Sequence, residues 1–277
     1  MKTPTAARLI AECWLKAEAA LRDAIRREFA DRDEEFVTEL FHGKLETECS
    51  RASVNGDVAK AFLQDLRLSL PTVPDAELLK IARGLQAEVT FHSREVERKT
   101  GGDFGITLIR PEVRFAPYSR STLTVERDHQ RGLLCQAKIF RRSSTWGPLT
   151  VSQQKALIER LEYLALVLYR FTDQNGDRRE LAPFQWQLTR AASIEDMRSW
   201  LTSNTFPSLQ GSGDILDALG QNKIGTSDKK IITKYIATPV RPTLTVRLQW
   251  PDGTGPGATV QLREFQQKQQ AVLHQRT

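Results

Sequence analysis

The run Tyr163-Leu164-Ala165-Leu166-Val167-Leu168-Tyr169 constrains the fold more than any other stretch, because it is apolar or aromatic throughout. Side chains alternate between the two faces of a strand, so a strand of this sequence must be covered on both sides. A helix pattern precedes it. Thr150 is a good N-cap, and Val151, Leu157, Ile158 and Leu161 are apolar. Before that helix comes another strand pattern, Leu133 to Phe140. Strand, helix and strand in this order predict a crossover that lays 163–169 parallel to 133–140. The chain therefore reads as α/β.

The flanking segments fit around this unit. Leu9, Ile10, Cys13, Trp14, Ala17, Leu21, Ala24 and Ile25 recur at helical spacing, so 5–30 is expected to be an amphipathic helix docked on a core. Asp31 or Asp33 would cap a second helix, with Phe36, Val37, Leu40, Phe41 and Leu45 on one side. A third helix follows the Asn55-Gly56 turn, and a fourth covers 76–86 after a Pro-rich connector. An extended run then reaches from Val89 to about Val96, and Lys99-Thr100-Gly101-Gly102 makes a turn. A second strand runs from Asp103 to Ile109 and stops before Pro111, with a short extended piece at 122–125. Phe184–Leu188 reads as a strand and Ile194–Leu201 as a helix. Short helices near 215–219 and 230–236, a strand at 244–250, a loop at 251–257 and a Gln-rich tail complete the chain. The expected organisation is a helical N-terminal part at 1–75 that contributes a core helix, a core sheet at 76–190 and a C-terminal extension at 191–277.

Composition narrows the function classes. No apolar run is long enough to span a membrane, and no apolar stretch follows the first residues, so a cytoplasmic protein is expected. Cys13, Cys49 and Cys135 are scattered among apolar neighbours and read as reduced core residues. The four histidines show no ligand spacing. The net charge of +6 permits a nucleic-acid partner. The basic residues gather around the central strands, at Arg110, Arg114, Arg120, Arg127, Arg131, Lys138, Arg141 and Arg142.

One set of side chains carries chemistry. Asp103 opens a strand directly after a Gly-Gly turn. Gln136 and Lys138 alternate with Cys135, Ala137 and Ile139, so they share a face about 7 Å apart along the strand. If the two strands pair, a carboxylate, an amide oxygen and an ammonium converge. That combination suits a hard divalent cation and a phosphodiester.

This order of a strand, a Gly-Gly-Asp turn, a strand, a Gln-Ala-Lys strand, a helix and a parallel strand resembles the PD-(D/E)xK nuclease superfamily. It is most similar to the Mrr-like branch, in which glutamine replaces the second acidic residue. The resemblance covers about residues 31–190. It implies a restriction-endonuclease-like mixed sheet flanked by helices, and a catalytic set of Asp103, Gln136, Lys138 and Glu35. Asp103, Gln136 and Glu35 would hold Mg²⁺ (or Mn²⁺), with one metal or two left open. A glutamate on the helix before the first core strand matches Glu35 in Glu35-Phe36-Val37-Thr38, and Glu39 one turn on shares its face. Gln154, on the helix after the lysine strand, is a further candidate. Arg141 and Arg142 would hold the phosphate backbone, and Trp146 would stack a base. The implied function is metal-dependent DNA cleavage, with RNA not excluded, in prokaryotic restriction or anti-phage defence. A freely active nuclease would be toxic, so an activating or complex-forming protein partner, or homo-oligomerisation, is expected to trigger the activity. Because Gln136 brings no charge, the alternative is a catalytically inactive nuclease fold that binds nucleic acid or serves assembly in a defence complex.

Overall fold

The computed structural model describes residues 6–28, 34–54, 86–115, 123–140, 145–174, 178–190, 192–237, 244–249 and 257–261, and a few isolated positions between 64 and 78. The third and fourth helices expected before residue 86, Arg141, Arg142 and the Gln-rich tail lie outside the described residues. Among the described residues no helix is long and apolar enough to cross a membrane.

The protein is mixed α/β. The strands β1 (Gln86–Phe91), β2 (Phe104–Phe115), β3 (Leu123–Phe140), β4 (Leu164–Gln174), β5 (Arg178–Leu181), β6 (Gln185–Leu188), β7 (Leu209–Gly211), β8 (Leu244–Gln249) and β9 (Gly257–Gln261) form one sheet. Their order is β7-β6-β4-β3-β2-β1-β8-β9, with β5 paired to the far part of β4. β3 and β4 are parallel, in the register Gln136↔Leu166 and Lys138↔Leu168. The other pairings are antiparallel. Residues 164–169 of the apolar run thus form a buried central strand, as their two-faced pattern requires, and Tyr163 closes the short 3-10 turn before it.

Helices cover both faces. α1 (Ala6–Glu28), α2 (Glu34–Val54) and the helix Ser212–Gly220 lie on one side, where Leu133, Cys135, Ala137 and Ile139 of β3 point. The α1 stripe Ile10, Cys13, Trp14, Ala17, Leu21 and Ile25 is almost wholly buried. Trp14 centres this layer, with Phe41 at 4.8 Å, Trp186 at 5.7 Å and Phe104 at 6.0 Å between ring centroids. Burying each such side chain contributes roughly 1.5–3 kcal/mol. One carboxyl sits in the same layer. Glu18 accepts from Trp14 Nε1 at 2.9 Å, from Phe184 N at 3.3 Å and from Ser212 Oγ. Burial pushes its pKa up against those donors. All three cysteines are buried and none is in a disulfide.

The opposite face holds Leu134, Leu164, Leu166 and Leu168 under the helices Val151–Leu157 and Ile194–Ser203 and the π-helical turn Ile232–Ile236. That turn presses on the backbone of β2 and β3. A Cβ on Gly105 would collide with the Ile236 carbonyl.

Three features differ from the sequence reading. The extended run expected to reach Val96 stops at Phe91, and a helix, α3 (Arg94–Thr100), replaces its second half. Ser93 caps it, and Glu95 pairs with Lys99 one turn on at 2.8 Å. β2 does not stop at Pro111. Its pairing with β1 ends at Ile109, so the proline stands where a missing N–H disturbs no ladder on that side. The short piece at 122–125 is the start of β3, so β2 and β3 form long antiparallel arms.

Candidate active site

The site begins with the turn that ends α3. Gly101 adopts a left-handed conformation with φ of 78° and donates its N–H to Glu97 O at 2.7 Å. His92 holds the next residue through Nδ1 and Gly102 O at 2.7 Å. Asp103 is then fixed by its backbone, since His92 N donates to Asp103 O and Asp103 N donates to Cys135 O, both at 2.8 Å. The ladder pairs Phe104 with Cys135, so Asp103 comes opposite Gln136.

β3 runs on past the first residue of β2, and the N–H groups of Ala137 and Ile139 lose a strand partner on that side. Two carboxylates take its place. Asp103 Oδ2 accepts from Ala137 N at 2.5 Å and from Gln136 Nε2 at 2.6 Å. Glu34 Oε2 accepts from Ile139 N at 3.3 Å, and Glu34 Oε1 accepts from Lys138 Nζ at 3.1 Å. The Lys138 side chain is 3% exposed and that of Glu34 is 23% exposed. Asp103, Gln136, Lys138 and Glu34 therefore meet at one strand end.

The electrostatics follow from burial. Desolvation pushes the Asp103 carboxyl well up, the Glu34 charge adds to this, and Lys138 opposes it. Desolvation also raises Glu34, again opposed by Lys138. Gln136 Nε2 faces two acceptors, Asp103 Oδ2 and Ala137 O. Its Oε1 is consequently turned away from them, buried and without a partner. An orphaned buried acceptor costs about 1–3 kcal/mol. The donor set is all oxygen, with two carboxylates and one amide carbonyl, which fits a hard cation such as Mg²⁺ or Mn²⁺. Among the described residues no three His, Cys, Asp or Glu side chains form a metal-holding group by themselves.

The structure separates the remaining candidates. Glu35 does not reach the cluster. Its carboxylate is 48% exposed and bound to Arg94 at 2.5 Å. Glu39 is exposed on the same helix. Gln154 turns back to Leu149 O at 2.8 Å, whereas its neighbour Gln153 donates to Glu97 Oε1 at 2.9 Å. Trp146 is 4% exposed and packs edge-on against Phe140 and Phe206, so its ring is not free to stack a base.

Glu34 is the residue that the sequence reading passed over, and helical phase carries the signal. Val37, Thr38, Phe41, Leu45 and Cys49 are the buried positions of α2 among the described residues, with Thr38 Oγ1 donating to Tyr169 OH at 3.3 Å. Three residues back from Val37, four from Thr38 and seven from Phe41 all lead to position 34.

No protein-family model matches this chain, and no curated protein is similar to it.

Proposed function

We propose that this protein is a divalent-metal-dependent endonuclease acting on DNA, with Asp103, Glu34, Gln136 and Lys138 as its active site. One observation carries the reading. A buried lysine and two carboxylates meet where β3 outruns β2, beside a buried amide whose oxygen has no partner. The strand order supports it. An antiparallel β1-β2-β3 unit followed by a helical crossover to parallel β4 is the arrangement expected of a restriction-endonuclease-like core. The net charge of +6 suits a polyanionic substrate.

Asp103 and Glu34 would hold Mg²⁺ or Mn²⁺, and Gln136 would join them once its amide turns over to present Oε1 in place of Nε2. When bound, the ion polarises the scissile phosphate and makes a water more acidic. Lys138 Nζ has donors left after its bond to Glu34. It aligns the attacking water or offsets negative charge on the attacked phosphate. Its burial fixes it in place for that role. Prokaryotic defence in the cytoplasm, under control of a protein partner or of self-association, is the setting we propose by analogy with the similar family.

The Lys138→Ala variant should lose cleavage while it still folds and binds DNA. Full cleavage by that variant would refute the assignment. One observation favours a second reading, a non-cleaving nuclease fold. Both carboxylates already cap strand-end N–H groups, at Ala137 and Ile139, which is a structural role of their own. Binding of a divalent ion that depends on Asp103 separates the two.

A further inference from the structure

Arg170 is a half-buried cation on β4, close to the site and so far without a role. It pairs with Phe140 in the parallel ladder, two residues past the pair Lys138↔Leu168. Residues two apart along a strand share a face, so Arg170 and Lys138 stand on the same side of the sheet. Strand rise and spacing put their Cα atoms about 8 Å apart. Both lie toward the carboxyl ends of the parallel strands, where open α/β sheets bind ligands. Neutral partners hold the guanidinium. Its Nη2 donates to Asn204 Oδ1 at 2.5 Å. Its carbon lies 4.9 Å from the centre of the Phe140 ring and 5.4 Å from that of Trp146. Asn204, the left-handed cap of the helix Ile194–Ser203, also accepts from Trp146 Nε1 at 2.9 Å. Among the described residues no carboxylate pairs with Arg170, and its Nε is buried without an acceptor. The two rings offset part of the cost of half-burying the charge, but they do not neutralise it. A guanidinium has five N–H donors, and the Asn204 oxygen engages only one side of this fork.

We propose that Arg170 holds a DNA backbone phosphate beside the one that is cut, presented to it by Asn204, Phe140 and Trp146. The inference rests on the DNA-endonuclease reading above and extends its binding surface onto β4. The planar fork matches phosphate oxygens, and a phosphate supplies the negative charge that the protein does not. A neutral holder is what this role needs. An acid at position 204 would keep the same hydrogen bonds and neutralise the guanidinium within the protein.

The test is binding of a short fluorescein-labelled DNA duplex to the full-length protein, read by anisotropy across a salt series. It is run in EDTA and in Ca²⁺, with thermal midpoints measured alongside. Wild type is compared with Arg170→Gln, Arg170→Lys, Asn204→Asp and Lys223→Gln. Lys223 is the control for net charge. It is exposed, in the turn before Thr226, which bridges to Gly132 at the opposite end of β3. Arg170→Gln and Asn204→Asp should each flatten the salt dependence by about 0.9 in slope and weaken binding roughly tenfold at low salt. Arg170→Lys and Lys223→Gln should keep the wild-type slope. The midpoint of Asn204→Asp should not fall, because its carboxylate keeps both hydrogen bonds and adds an ion pair. A purely structural Arg170 would leave DNA binding by that variant intact. Asn204→Asp that binds with the wild-type slope therefore overturns the inference, even where Arg170→Gln fails to fold, and leaves the nuclease site standing. A loss of slope in Lys223→Gln equal to that in Arg170→Gln also overturns it. No binding of the duplex by the wild type in either condition overturns the DNA reading and this inference with it.

Discussion

Replacing Glu34 with alanine should cost far more than replacing Glu35, although the two are adjacent on α2. Glu34 is the partner of a lysine whose side chain is 3% exposed, and it also accepts the Ile139 N–H. Its removal strands a buried ammonium, which costs about 3–5 kcal/mol, with an unpaired strand-end N–H beside it. The 23% exposure of Glu34 admits water and lowers the expected loss to about 3 kcal/mol. Glu35 and Arg94 are 48% and 74% exposed, and such a pair contributes about 0–1 kcal/mol. Urea unfolding of Glu34→Ala, Glu35→Ala, Lys138→Met and the double variant Glu34→Ala/Lys138→Met measures the difference. The double variant should be no less stable than Glu34→Ala, because it removes the stranded charge together with its partner. Equal losses for Glu34→Ala and Glu35→Ala would refute the placement of Glu34 in the site. A double variant as unstable as the sum of its two single variants would refute the coupling to Lys138.

Two further predictions concern the scaffold. The Glu18 carboxyl titrates above its unfolded value because it is buried, so the native state holds its proton more tightly. Its contribution to stability is full below the unfolded value of about 4.3 and is lost as pH rises through the folded value. The stability of wild type relative to Glu18→Gln, followed by denaturant unfolding across acid to neutral pH, should therefore fall as pH rises; a flat difference would count against it. Gly105→Ala forces a Cβ into the Ile236 carbonyl, and overpacking of this kind costs about 1–3 kcal/mol. A thermal midpoint equal to wild type would show that the turn 232–236 does not press on β2.

Much of the site was legible because its cause is local. A Gly-Gly turn followed by Asp103 and an alternating strand carrying Gln136 and Lys138 bring the three together once two strands pair, and they do pair. The two-faced run at 163–169 likewise announced a central parallel strand. The misplacements have physical reasons. Glu35 comes from its match to the similar family's glutamate rather than from helical phase, whereas the buried stripe Val37, Thr38 and Phe41 leads back to Glu34, which meets Lys138. The 89–96 segment reads as extended until Ser93 is recognised as a cap for a short helix. The pairing of β8 with β1, and of β7 with β6, joins segments distant along the chain, and no local pattern specifies such partners.

The central claim is tested most directly by incubating the wild type and Asp103→Ala with supercoiled plasmid in Mg²⁺, in Mn²⁺ and in EDTA. The account predicts nicked or linear DNA from the wild type with either metal, none in EDTA, and none from Asp103→Ala under any condition. Cutting by Asp103→Ala at the wild-type rate, or cutting that persists in EDTA, would contradict it.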